Sequence, residues 1–165
     1  MEQDRNQTPR ANRIHIGFFG RRNAGKSSLI NAVTGQQVSV VSDILGTTTD
    51  TVEKAMELLP IGPVVLIDTP GLDDSGALGE LRVQRAKQTF SHTDIAVLVV
   101  DASVGMTQDD RRILQVLTEK HIPALSVWNK WDLAENTVLP EGAIAVSAAT
   151  GDGIEALKER LGAFY

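Results

Sequence analysis

The chain contains no cysteine. That excludes from these 165 residues a disulfide framework, a thiol nucleophile and any zinc or iron–sulfur site built on cysteine. Histidine is scarce too: His15, His92 and His121 are scattered, so a His-rich metal site is not expected. No apolar run approaches membrane-spanning length, and the first 13 residues (MEQDRNQTPRANR) lack the hydrophobic stretch of a signal peptide. The expected location is cytoplasmic, with no membrane partner. Positive charge is also in short supply, the formal net charge being −5. Residues 1–22 carry five arginines against Glu2 and Asp4, a local +3, so the remainder must supply −8. An acidic body argues against broad nucleic-acid binding, which needs a basic face. The N-terminal arginines read as a solvated, flexible basic leader over residues 1–13, with contact to an acidic partner as the alternative.

What remains is enough for one domain. At 17.8 kDa and 42% hydrophobic, size scaling gives roughly 8,000 Å² exposed when folded against roughly 26,000 Å² unfolded, a sizeable core without covalent staples. Short aliphatic runs recur after the leader: IHIGFFG (14–20), VVLID (64–68), IAVLVVD (95–101), ALSVWN (124–129) and AIAVSA (143–148). Their continuity and their Gly, Pro or polar flanks indicate strands buried on both faces. Helix-like stretches alternate with them at 26–33, about 79–90, about 108–120 and 154–163, with Ile113, Leu114, Leu117 and His121 at helical spacing. The segment 51–59 alternates and precedes Pro60, which reads as an edge strand joined by a hairpin to Val64. The expectation is an α/β domain over 14–165 in three layers: a six-stranded, mostly parallel sheet with one antiparallel edge strand and helices on both faces. Ligands on such sheets bind beyond the carboxyl ends of the strands. The only long irregular segment is 35–50, and loops of that length inside a compact domain are usually functional.

Motifs fall at those strand ends. GRRNAGKS (Gly20–Ser27) matches GxxxxGK[ST] between a strand and a helix. Its glycines let backbone N–H groups of residues such as Ala24 and Gly25 curl around phosphate oxygens, and the helix start adds its dipole. Lys26 can reach the β- and γ-phosphates, and the Ser27 hydroxyl, with Ser28 beside it, offers a ligand for Mg²⁺. DTPG (Asp68–Gly71) is weak alone, but behind an apolar strand it suits an Asp68 that holds Mg²⁺ through water and a Gly71 N–H that senses the γ-phosphate. NKWD (Asn129–Asp132) reads the base: the Asp132 carboxylate accepts from N1–H and the exocyclic amine of guanine, a donor pair adenine lacks. Asn129 would tie the loop, and the stem of Lys130 can lie over the purine. SAATGDG (Ser147–Gly153) completes the series, the Ala148 N–H being placed to bond guanine O6. Trp128 and Trp131 read as packing beside this loop rather than base stacking. GTTTD (Gly46–Asp50), with Gly46, Thr47 and Thr48, lies in the long loop where a threonine closing on Mg²⁺ and γ-phosphate would form a switch. The set describes a guanine-nucleotide site for GTP or GDP with Mg²⁺.

The order GRRNAGKSS, GTTTD, DTPG, NKWD, SAATG resembles a GTPase of the Era/MnmE (TrmE) type over residues 14–165. The resemblance implies a P-loop GTPase fold and assigns the Mg²⁺-binding switch threonine to Thr48; Thr49 stands where the pattern has Arg. More narrowly, TPRANRIHIGFFGRRNAGKSSLINAVTGQ, VSDILGTTTD and LLPIGPVVLIDTPG look like the GTPase domain of the HydF family of FeFe-hydrogenase maturation factors. Small signalling GTPases place a water-orienting Gln after DxxG, where this chain has Leu72. The resemblance implies compensation by K⁺, held by Asn23 of the P-loop and carbonyls of about residues 42–47, where it would neutralise developing phosphate charge. A loop-shaping role is the plainer reading of Asn23. Glu80 is the family-like candidate for a water-orienting carboxylate. Arg21 and Arg22 suit either a nucleotide-bridged homodimer or solvent. The implied function is a slow GTPase switch in hydrogenase maturation, its partners being the maturation proteins and the dimerisation and iron–sulfur domains of a longer chain. The alternative is the GTPase domain of a tRNA-modification or ribosome-assembly factor.

Overall fold

The computed structural model describes residues 13–20, 24–35, 52–58, 61–68, 90–134 and 137–163. Six strands form one sheet: β1 (Ile14–Gly20), β2 (Val52–Leu58), β3 (Gly62–Asp68), β4 (Ile95–Asp101), β5 (Ala124–Asn129) and β6 (Ile144–Ala145). Their order is β2-β3-β1-β4-β5-β6. Among the described strands only β2 is antiparallel, running against β3 from Val52↔Asp68 to Leu58↔Gly62, so the antiparallel edge pair is present as expected. The described helices are α1 (Lys26–Thr34), α2 (Gln108–Glu119) and α3 (Ile154–Gly162), beside a 3-10 turn at Trp131–Leu133.

Period-two alternation in central strands feeds two cores. On one face Ile16, Phe18, Val64, Leu66, Ile95, Val97 and Val99 pack with Leu29, Ile30 and Val33 of α1 and Ile154, Leu157 and Leu161 of α3. On the other, Phe19, Ala96, Leu98, Val100 and Trp128 meet Ile113 and Leu117 of α2. The layers are therefore helix, sheet, helix. A capping box starts α2: Thr107 Oγ1 accepts from the Asp110 N–H at 3.2 Å, and Asp110 Oδ2 accepts from the Thr107 N–H at 3.0 Å.

Three expectations need correction. The run 143–148 forms a strand only at Ile144–Ala145. Beyond it the chain turns, the Ser147 N–H bonding the Asp152 carbonyl at 2.9 Å, and the apolar character continues because Val146 is buried under that loop. His121 does not extend α2: the helix stops at Glu119, and His121 sits past it in the left-handed region with φ 59°. Arg13 is no part of a solvated leader. It is 6% exposed, and its Nη1 donates to the Met56 carbonyl of β2 at 3.0 Å. The helix expected at about 79–90 lies outside the described residues except for Phe90, and residues 1–12 lie outside them too.

Gly17 shows why one interior strand position carries no side chain. The Phe19 ring folds back over it to meet Phe90 edge-on, with centroids 5.2 Å apart and planes at 71°. A Cβ on Gly17 would stand 2.8 Å from that ring and 2.9 Å from Thr93 Oγ1. Gly17→Ala is expected to lower the unfolding free energy by about 1–3 kcal/mol through overpacking, read as a shifted urea midpoint at unchanged slope.

Candidate nucleotide-binding site

Four parallel strands end on residues that face one another at the same edge of the sheet: Gly20 closes β1, Asp68 closes β3, Asp101 closes β4 and Asn129 closes β5. The parallel register sets this alignment, with Phe18 opposite Asp68 and Asp101 opposite Asn129. The next described element after β1 is α1. Gly25 stands at its start with φ 85°, a conformation open to glycine. A side chain there would also collide with the Asn129 amide, and one on Gly20 would collide with the Val99 carbonyl.

Lys26 is buried, 3% exposed. Its Nζ donates to the Gly20 carbonyl at 3.5 Å and pairs with Asp68 Oδ1 at 3.5 Å. The two charges compensate each other's desolvation. Ser27 and Ser28, in the first turn of α1, are exposed. A buried lysine and an exposed hydroxyl at the start of α1, with a carboxylate at the end of β3, supply one cation for phosphate and two hard oxygens for a divalent metal. The residues present therefore fit Mg²⁺ beside a phosphate chain.

The end expected to read the base is tied to the end expected to hold phosphate by Asn129, which is 2% exposed. Its Nδ2 donates to the Ala24 carbonyl at 2.8 Å, with the Gly25 carbonyl at 3.5 Å. Its Oδ1 accepts from the Ala148 N–H at 2.9 Å. That last bond modifies the reading of Ala148, whose N–H is engaged by Asn129 rather than left open for guanine O6. Ser147 Oγ donates to Asp132 Oδ1 at 2.8 Å and accepts from the Thr150 N–H at 3.3 Å, so it braces the carboxylate expected to read guanine. Lys130, with φ 62°, turns the chain from β5 into the 3-10 turn that carries Asp132. Trp128 is buried and Trp131 packs against the same core, as the packing reading expects.

Gly20, Ala24, Gly25, Lys26, Ser27, Ser28, Asp68, Asn129, Lys130, Asp132, Ser147 and Ala148 thus gather at one end of the sheet. Asn23, Gly46, Thr47, Thr48, Gly71 and Glu80 lie outside the described residues, as do Arg21, Arg22 and Leu72. Among the described residues there is no cluster of three or more His, Cys, Asp or Glu side chains able to hold a metal by itself. None of the described helices is long and apolar enough to cross a membrane.

One participant carries no motif. Asp101 Oδ1 accepts from the Ser103 N–H at 2.9 Å and from Ser103 Oγ at 2.6 Å, while Oδ2 pairs with Lys130 Nζ at 3.3 Å. Burial pushes this carboxyl up, but the two Ser103 bonds and the Lys130 charge together outweigh it, holding the pKa below the ordinary 3.8. The signal that could have found it is an aspartate closing an apolar strand, as Asp68 does.

Two outcomes follow. Asn129→Ala leaves the buried Ala24 carbonyl and Ala148 N–H without their partner. It should lower the stability of the nucleotide-free protein by about 1–3 kcal/mol for each group left unpaired, measured by urea unfolding. For Asp101 the folded-state pKa is depressed, so its stabilisation is present above the ordinary value and lost as pH falls through the folded one. Asp101→Asn should therefore be less stable than the parent at pH 7, with the gap in unfolding midpoints closing in acid below about pH 4.

Comparison with known proteins agrees with this geometry. A family model described as 50S ribosome-binding GTPase matches residues 15–130. The tRNA modification GTPase MnmE of Nitrosomonas europaea is 40% identical over 156 residues, 90% of this chain and 34% of its own length. GTPase Der of Fusobacterium nucleatum is 36% identical over 127 residues, 74% of this chain and 29% of its own. The chain therefore spans about a third of the length of these curated relatives. Among solved structures, a single-residue variant of Aquifex aeolicus Era bound to GDP·AlF4⁻ superposes with a TM-score of 0.70 at 27% identity, covering 89% of this chain and 55% of that one. The family match over residues 15–130, with a relative 40% identical over 90% of the chain, shows the family: the chain belongs to the 50S ribosome-binding GTPase family, with GTPases of the MnmE and Der type among its relatives.

Proposed function

We propose that the domain works as a slow, Mg²⁺-dependent GTP switch whose hydrolysis is stimulated by K⁺. The observation that carries the nucleotide part is the Asn129 amide, which fixes the phosphate-holding loop and the base-reading loop against each other. Lys26 would leave Asp68 for the β- and γ-phosphates, and Asp132, braced by Ser147, would accept from the guanine edge. Mg²⁺ would be held by Ser27, Thr48 and, through water, Asp68; when bound it neutralises charge on the β- and γ-phosphates. Asn23 and carbonyls of about residues 42–47 would hold K⁺, a reading that rests on sequence: the Asn in the P-loop and Leu72 in place of a water-orienting Gln. Gly71 would sense the γ-phosphate, and Glu80 would orient the attacking water.

The relatives weigh towards an RNA-linked role, since a tRNA modification GTPase is 40% identical over 90% of the chain. The acidic body does not oppose this, because two thirds of that relative lie outside the span matched here and RNA contact can reside there. A second reading, service in hydrogenase maturation, is favoured by the leader TPRANR and the segments VSDILGTTTD and LLPIGPVVLIDTPG. It implies partner domains that carry the iron–sulfur chemistry these residues cannot.

GTP turnover should be slow without assistance, on the order of 10⁻⁴ to 10⁻² per second, and clearly faster in potassium than in sodium at equal ionic strength. Equal rates in the two salts sink the cation reading, and failure to bind GDP or GTP sinks the switch itself. The biological role is separated in a strain lacking the gene. Loss of a tRNA modification with hydrogenase activity intact supports the RNA-linked role, and the reverse pattern assigns the domain to hydrogenase maturation.

A further inference from the structure

Asp101 stands outside every nucleotide motif in this sequence, yet it lies at the centre of the base-reading end. It is the last residue of β4 and pairs in register with Asn129. The ladder continues one step further, the Ala102 N–H bonding the Asn129 carbonyl at 2.8 Å. The turn after Asp101 closes on the residue itself: its carbonyl accepts from the Val104 N–H at 3.0 Å and the Gly105 N–H at 2.8 Å. Ser103 adds both its N–H and its hydroxyl to Oδ1. With one oxygen held this way, the carboxylate has no freedom to swing, and Oδ2 is presented to Lys130 Nζ at 3.3 Å. The lysine is constrained from its other end as well. Its backbone is left-handed, and its Cε lies 3.9 Å from where a Cβ on Gly25 would stand. Its stem therefore crosses from the base-reading loop over the phosphate loop, anchored at the far end by Asp101.

We propose that Asp101 is a positioning residue for guanine-nucleotide binding, one carboxylate oxygen locking the turn after β4 and the other holding the Lys130 stem across the purine seat. This rests on the reading of the site as a GTP and GDP site. A flexible lysine loses most of a long side chain's rotamer freedom when it lies over a base. An anchor already in place in the nucleotide-free protein moves that loss ahead of binding, so affinity rises without any contact between Asp101 and nucleotide. Chemistry at the γ-phosphate lies at the other end of the site and should not respond.

The test uses the full chain with fluorescent GDP and steady-state GTP hydrolysis. Asp101→Asn keeps an oxygen for Ser103 but removes the charge that holds Lys130. It is expected to raise the GDP dissociation constant and the KM for GTP by about five- to tenfold, chiefly through faster release, with kcat within about twofold. Lys130→Met, which retains an apolar stem and loses the anchored head, should weaken GDP binding to a similar degree. In that background Asp101→Asn should add less than a further twofold, because the interaction it removes is already gone. The Lys130→Met measurement stands even where Asp101→Asn folds poorly. Unchanged GDP affinity in either single variant, effects that multiply in the double variant, or a fall in kcat with KM unmoved would each overturn the positioning role. A parent protein that binds neither GDP nor GTP would instead overturn the nucleotide reading, and this proposal with it.

Discussion

The site depends on one buried side chain being an amide. Asn129 must give a hydrogen bond to the carbonyl of Ala24 and take one from the N–H of Ala148, and it does both while 2% exposed. An aspartate offers two acceptors and no donor, and would face the Ala24 carbonyl with negative charge. A leucine of similar volume would leave the buried Ala24 carbonyl and the part-buried Ala148 N–H unpaired. The partners lie 105 and 19 residues away along the chain. Through them the phosphate loop and the Ser147–Ala148 loop are fixed to the end of β5. Gly25 is drawn into the same constraint, since a side chain there would occupy the space the Asn129 amide fills.

That bond can be made only because the sheet delivers the loops to one place. Parallel strands put every carboxyl end on the same edge, and burial on both faces keeps those ends from moving independently. Ile16, Val97 and Val127 face α1 and α3, while Phe19, Leu98 and Trp128 face α2, each in a packed apolar layer. The antiparallel β2 is the exception that serves the rule. It begins beside the end of β3, at Val52↔Asp68, so the chain that follows segment 36–51 re-enters the sheet at the nucleotide edge. Thr47 and Thr48, proposed above for the switch, belong to that segment.

Much of this was legible because the central strands are continuous aliphatic runs. β1, β4 and β5 have the expected bounds, and the motifs sit at their ends. Two of the misreadings share a cause: burial achieved outside a regular element. Val146 is as apolar as a strand residue, yet it is buried under a turn, so the run 143–148 overstates β6. Arg13 belongs to an arginine-rich leader by composition, but its guanidinium reaches a backbone carbonyl on β2, 43 residues away, a contact no local pattern encodes. Asp101 escaped because its decisive partner is distant in sequence. Its local bonds to Ser103 are ordinary turn chemistry, and its partner Lys130 lies 29 residues on.

Asp101 also exposes a regularity in how the site handles charge. Each end of it holds a lysine from the segment that follows one strand and an aspartate closing the neighbouring parallel strand. Lys26 follows β1 and pairs with Asp68 of β3; Lys130 follows β5 and pairs with Asp101 of β4. The two pairs differ in burial, and that difference sets what each can do. Lys26 is 3% exposed, so it needs a compensating anion at all times. On the proposed function a phosphate chain would take the place of Asp68, leaving that carboxylate to hold Mg²⁺ through water. Lys130 is one-third exposed at its side chain and its partner is fixed by Ser103, so nothing requires the pair to part when a base arrives. The phosphate end is thus built to exchange one anion for another, while the base end is built to stay as it is. If the domain is the switch proposed above, that difference would give it a constant grip on the guanine and a responsive contact where the γ-phosphate comes and goes.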